Sequence, residues 1–186
     1  YPDEVSGIVL VDAAHEELLE KMPAFPHSTL QKCLLMPQSR KFLSAVGARR
    51  LVNNLTEMEK SYDNFPESVR VMYFALCNTL KFSCAQAEEF ANYQQSANHV
   101  KKGNVFLGNK PIIVITAGKP PRTEDTGFSR EFLLEAKAAW DELQKDLMTK
   151  STRVKQVIAE DSGHMVNHEQ PGIIVDAVRE MIIYNR

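Results

Sequence analysis

The sequence predicts an α/β protein: a parallel sheet with helices on both faces and a helical insertion after the first strand. Three apolar runs carry that expectation, Ser6 to Asp12, Lys110 to Gly118 and Val154 to Ala159. The first two are almost continuously apolar, as strands buried on both faces are. The third alternates enough to lie nearer a sheet edge. Long helical patterns separate the second run from the third and follow the third. Strands alternating with helices of that length imply parallel pairing through helical crossovers.

Each element has a local reason. Tyr1-Pro2-Asp3-Glu4-Val5 reads as the tail of a preceding element, so the chain is expected to begin inside a domain. The strand ending at Asp12 is followed by a short helical pattern from Ala13 to Met22, which Pro23 and Pro26 then break. From Ser28 to Val105 no strand is predicted. Leu43, Val46, Arg50 and Leu51 keep helical spacing, as do Val69, Met72, Tyr73 and Leu76 after Asn64-Phe65-Pro66. Phe82, Ala85, Phe90, Tyr93 and Ala97 continue the pattern; the aromatic and Met content suits an apolar cleft lining, and for any single side chain a plain helical core is the expectation.

The second strand is β-branched and is stopped by Gly118 and the pair Pro120-Pro121. A polar loop runs from Lys119 to Gly127. Ser129 is a candidate N-cap for a helix from about Arg130 to Met148, and Phe128 with Leu133 could staple its start. Phe132, Ala136, Trp140, Leu143 and Leu147 form its apolar stripe. After the third strand, Pro171 sits where a first-turn proline is tolerated. Ile174, Ala177, Val178, Met181 and Ile182 make a closing amphipathic helix.

The chain has 186 residues, 44% hydrophobic and 25% charged, enough for one domain with a sizeable core. A formal net charge of −2 argues against nucleic acid or an anionic membrane surface as the main partner. No apolar run approaches the roughly 20 residues that span a bilayer. The first residues are neither basic nor apolar, so no signal peptide is read. The three cysteines, Cys33, Cys77 and Cys84, make an odd, unpaired set and point to a reducing, cytoplasmic setting.

In open α/β sheets, ligands gather beyond the carboxyl ends of the strands. Three strand ends here carry candidates: Asp12, the loop holding Glu124 and Asp125, and His164. An acid that orients a histidine, which in turn deprotonates a nucleophile, is the logic of acyl transfer. Two of those three roles can be filled.

At this point the chain resembles the α/β-hydrolase superfamily. The opening Tyr1-Pro2-Asp3-Glu4-Val5-Ser6-Gly7-Ile8-Val9-Leu10-Val11-Asp12-Ala13-Ala14-His15 is similar to the segment that follows the nucleophile elbow. Ser162-Gly163-His164, then Gln170-Pro171 and an apolar helix, resembles the family's histidine loop. The resemblance implies a partial α/β-hydrolase fold, with core segments 1–22 and 108–186 and a helical cap over 23–107. It implies hydrolase chemistry, esterase-like, with His164 as general base and acid.

The acid has two places in such a family. One lies past the segment matching Ala117-Gly118, where the first acids are Glu124 and Asp125. The other ends the strand after the nucleophile, which is Asp12. Asp12 is favoured, because a carboxylate ending a buried strand needs a partner, with Glu124 and Asp125 as alternatives.

The chain departs from the family in one respect that decides what it can do. It contains no Gly-x-Ser-x-Gly elbow and no oxyanion loop. The expectation is therefore the C-terminal part of a hydrolase whose nucleophile lies upstream of Tyr1, inactive alone and acting on a small, largely apolar molecule. The competing expectation is a non-catalytic remnant, or a binding module whose open sheet edge pairs with an N-terminal segment or a second copy. No cofactor and no metal are expected: His164 and His168 are four apart but lie in a loop context without further ligands. His15 matches a common feature of that family and is read as a surface histidine, with a place lining the entrance as the alternative. Asn54-Leu55-Thr56 fits a glycosylation sequon that matters only on secretion. Lys101-Lys102 and Arg49-Arg50 read as solvated faces.

Overall fold

The computed structural model describes residues 2–24, 38–51, 66–103, 106–120 and 128–184. Three strands, β1 (Ile8–Val11), β2 (Ile112–Ala117) and β3 (Val154–Ala159), form one sheet in the order β1-β2-β3. Both pairings are parallel, with Ile8 beside Ile112 and Ala117 beside Ala159 at the ends of the registers. All six residues of β2 are buried, as its unbroken apolar run predicts.

The sheet is covered on both faces because its residues alternate sides. Ile113, Ile115 and Ala117 of β2 pack with Ala177 and Met181 of the closing helix α6 (Pro171–Tyr184) and with Val166 of the short helix α5 (Val166–Glu169). Ile112 and Val114 face the other way, against Leu147 at the end of α4 (Arg130–Leu147). Ser129 caps α4 by accepting the Phe132 N–H at 3.2 Å. Phe128 stacks on Phe132 with ring centroids 4.6 Å apart. The buried face of α4 is Leu133, Ala136, Leu143, Gln144 and Leu147, so Leu133 takes the place in the stripe that spacing gives to Phe132.

The segment after β1 is less helical than its pattern predicts. Only Leu18–Lys21 forms a helix, α1. Residues 13–17 instead spend their polar groups on side chains: the Ala13 carbonyl accepts from Gln144, and the Glu17 N–H donates to His15 Nδ1. The His15 bond is local and the Gln144 bond comes from α4; side-chain bonds to backbone groups compete with helix formation.

The chain divides into two compact units, Tyr1–Pro23 with Ser96–Arg186, and Ala24–Gln95. The second unit is helical where it is described, over residues 38–45, in α2 (Glu67–Cys77) and in the first part of α3 (Leu80–Gly103). Val46, Leu51, Val69, Met72, Leu76 and Phe90 are exposed rather than forming the helical core expected of them. Helical spacing decides which residues share a face; it does not decide what covers that face. No helix among the described residues is long and apolar enough to cross a membrane.

Candidate functional site

Asp12 is the first residue past β1, and its N–H still pairs with Ile115 O at 2.7 Å. There the backbone turns left-handed, with φ +41°. A non-glycine residue in that region costs about 1 kcal/mol or more, and aspartate is among the side chains that tolerate it best. The turn carries the carboxylate beyond the sheet end, yet the residue is only 3% exposed. Its Oδ1 accepts the Ala117 N–H at 3.0 Å and the Trp140 indole N–H at 2.9 Å. Its Oδ2 lies 2.7 Å from His164 Nδ1.

His164 comes from the loop after β3. That loop is pinned from several sides. Ser162 is fully buried, its N–H donates to Ala159 O at 3.0 Å, and its carbonyl accepts the Lys119 N–H at 2.9 Å. Glu169 accepts the Gly163 N–H at 3.1 Å, and Gln170 Oε1 accepts the Asp161 N–H at 3.0 Å. Val166, fully buried, seats the following turn in the core. Gly118 permits the close approach of the β2 end to this loop: a Cβ there would lie 2.7 Å from Glu160 Cα and 2.9 Å from Ala159 O.

With Asp12 at Nδ1, that ring nitrogen carries the proton and donates it to the carboxylate, which leaves Nε2 as the acceptor. Among the described residues Nε2 has no partner. The His164 side chain is 69% exposed, and Trp140 meets its ring edge-on, centroids 5.7 Å apart at 89°. Asp12, Trp140 and His164 line a cavity of about 280 Å³ with Met22, Ala117 and Ala136, rimmed by Lys119 and Lys137. Both lysines are engaged, Lys137 with the Asp141 carboxylate and Lys119 with the Asp161 carbonyl at 2.6 Å.

The electrostatics follow from these contacts. Burial alone pushes the Asp12 carboxyl up, but hydrogen bonds from His164, Ala117 and Trp140 outweigh it and hold the group below its ordinary 3.8. The bond to Asp12 raises His164 above its ordinary 6.5, against the opposing pull of partial burial. The arrangement is an oriented imidazole whose free nitrogen can take a proton from a group in the cavity and return it.

Of the sequence candidates, the structure brings Asp12 and His164 together. Glu124 and Asp125 lie outside the described residues, as do Cys33 and the Asn54 sequon. His15 is not on the surface: it is buried, with Nε2 2.9 Å from Asp146 Oδ2 and Nδ1 accepting the Glu17 N–H at 3.0 Å. Cys77 and Cys84 are free and half-buried. His168 sits in α5. Among the described residues no three His, Cys, Asp or Glu side chains group as a metal site would require.

Sequence reasoning misses two contributors. Helical spacing puts Trp140 in an apolar stripe, whereas its indole N–H reaches the acid. Gln144, one turn further on the same face, is fully buried and holds the residue after Asp12. The signal present in the sequence is a lone tryptophan followed four residues later by a polar side chain on an otherwise apolar face.

No family model matches the chain. A curated relative, "Uncharacterized protein YqjL" of Bacillus subtilis (strain 168), is 28% identical over 91 residues, which are 49% of this chain and 32% of that protein. The matched stretch thus spans about a third of the relative's length. A solved structure of "a putative epoxide hydrolase" from Pseudomonas aeruginosa, a mutant with bound MFA, aligns over 100% of this chain and 60% of its own, at 14% identity and TM-score 0.47.

Proposed function

We propose that this chain is the C-terminal portion of an α/β-hydrolase, carrying the acid and the histidine of an acyl-transfer site whose nucleophile lies upstream of Tyr1. One observation carries the proposal: Asp12 Oδ2 lies 2.7 Å from His164 Nδ1 at the carboxyl ends of parallel strands. Asp12 holds the imidazole in the tautomer that leaves Nε2 basic, and stabilises the imidazolium that forms. His164 takes the proton of the attacking nucleophile, then returns it to the leaving group. The cavity, with Met22, Ala117, Ala136 and Trp140 on its walls, suits a small, largely apolar ester. No cofactor is called for by this chemistry.

The test is hydrolysis of a chromogenic short-chain ester by a protein extended upstream of Tyr1, compared with the 186-residue chain. Turnover in the extended protein only, lost in His164→Ala, supports the reading. Turnover by the 186-residue chain alone overturns the placement of the nucleophile. A second reading rests on the outer edge of β1, which no strand pairs among the described residues. A non-catalytic module would use that edge to bind an N-terminal segment or a second copy. An extended protein that is inert but dimeric favours this alternative.

A further inference from the structure

Helix α4 and the turn after it grip the loop that leaves Asp12, residue by residue. Trp140 donates to the Asp12 carboxylate at 2.9 Å, and Gln144 donates to the Ala13 carbonyl at 2.7 Å. Asp146 lies 2.9 Å from His15 Nε2, and Lys150 donates to Glu16 at 2.6 Å. Gln144 is the unusual member. Its side chain is completely buried, and its Oε1 has no hydrogen-bond partner among the described residues. A buried amide with an unmet oxygen loses its hydration for one bond, whereas an apolar side chain of similar length would fill the same space without that loss. Packing therefore does not account for glutamine here. What the amide does secure is the carbonyl immediately after the one left-handed non-glycine residue among those described, Asp12 at φ +41°.

We propose that Gln144 is a positioning residue for the Asp12–His164 pair: it locks the chain beyond Asp12, and so holds the strained backbone that aims the carboxylate at His164. Strained backbone persists where surrounding contacts over-determine it, and such contacts favour function over stability. This inference rests on the functional reading of the pair given above.

The test follows the His164 ring by NMR as pH is varied in the 186-residue chain, alongside denaturant unfolding, for the unmodified chain, Gln144→Met and Asp12→Asn. Asp12→Asn sets the scale by removing the ionic partner. Gln144→Met is expected to stay folded, the lost bond to the Ala13 carbonyl being offset in part by removal of the unmet amide oxygen. Its His164 pKa is expected to fall by about half a pH unit or more, a fraction of the one-unit spread seen for histidines in folded proteins. Gln144→Asn, which withdraws the amide from Ala13 but stays polar, is expected to lower it as well. An unmoved His164 in both Gln144 variants, with Asp12→Asn moving it, overturns the inference alone. A Gln144→Met chain that unfolds also overturns it, since the amide would then be structural. If Asp12→Asn leaves His164 unmoved, the pair itself fails and the inference falls with it.

Discussion

Trp140 donates its indole N–H to Asp12 Oδ1 at 2.9 Å, across 128 residues of sequence. The same ring stands edge-on to His164. Since Trp140 is the sole tryptophan, its emission reports on the site without a label. A protonated imidazole in contact with an indole quenches it. Fluorescence is therefore expected to rise as pH increases through the His164 pKa, with a midpoint above 6.5. The step should vanish in His164→Ala. A midpoint at or below 6.5 would contradict the bond to Asp12.

The pair also makes stability depend on pH, with opposite signs for its members. Asp12 is depressed below 3.8, so its contribution is present above that value and fades as pH falls through its folded pKa. His164 is raised above 6.5, so its contribution is complete below 6.5 and fades as pH rises through its folded pKa. The difference in melting temperature between the chain and Asp12→Asn should thus be larger at about pH 5.5 than at about pH 8.5, as measured by thermal unfolding. An equal or reversed gap would count against an ion pair at this site.

Gly118→Ala is expected to destabilise the fold by about 1–3 kcal/mol, the cost of forcing atoms into filled space. The added Cβ meets backbone, Glu160 Cα at 2.7 Å and Ala159 O at 2.9 Å, and neither can swing aside. Because these atoms lead into the His164 loop, His164 resonances should shift along with the loss of stability. Denaturant unfolding and a two-dimensional NMR spectrum check both outcomes; a neutral Gly118→Ala would contradict the close approach.

In a catalytically complete protein, kcat/KM for an ester should rise with pH along a limb set by the free-enzyme pKa of His164, above 6.5. Asp12→Asn should lower kcat by about 10²–10⁴-fold, the range general acid–base groups contribute, and move the limb to lower pH. A pH–rate profile with an unmoved limb would remove Asp12 from the mechanism.

Much of this architecture is legible along the chain. β2 declares itself by an unbroken β-branched run closed by glycine and prolines, and α4 by Ser129 and a stripe at helical spacing. Those signals are local: φ restriction, capping and periodic burial act over a few residues. The place of His164 beyond β3 follows from the same order of elements. The shortness of α1 is not legible, because the Ala13 carbonyl and the His15 ring find partners in α4 more than a hundred positions away. The burial of His15 escapes the sequence for the same reason. The exposed faces of α2 and α3 escape it because periodicity leaves the covering partner unspecified.

The sequence by itself determined the strands, the order of the helices and the two residue types, a carboxylate and an imidazole, that reach the sheet's carboxyl end. Tertiary structure alone decided that Asp12 meets His164, that Trp140 and Gln144 brace the acid, and that a cavity opens beside them. Propensity and periodicity are written into neighbouring residues, whereas a hydrogen bond between residues 12 and 164 exists only once the parallel sheet has brought the ends of β1 and β3 side by side around β2.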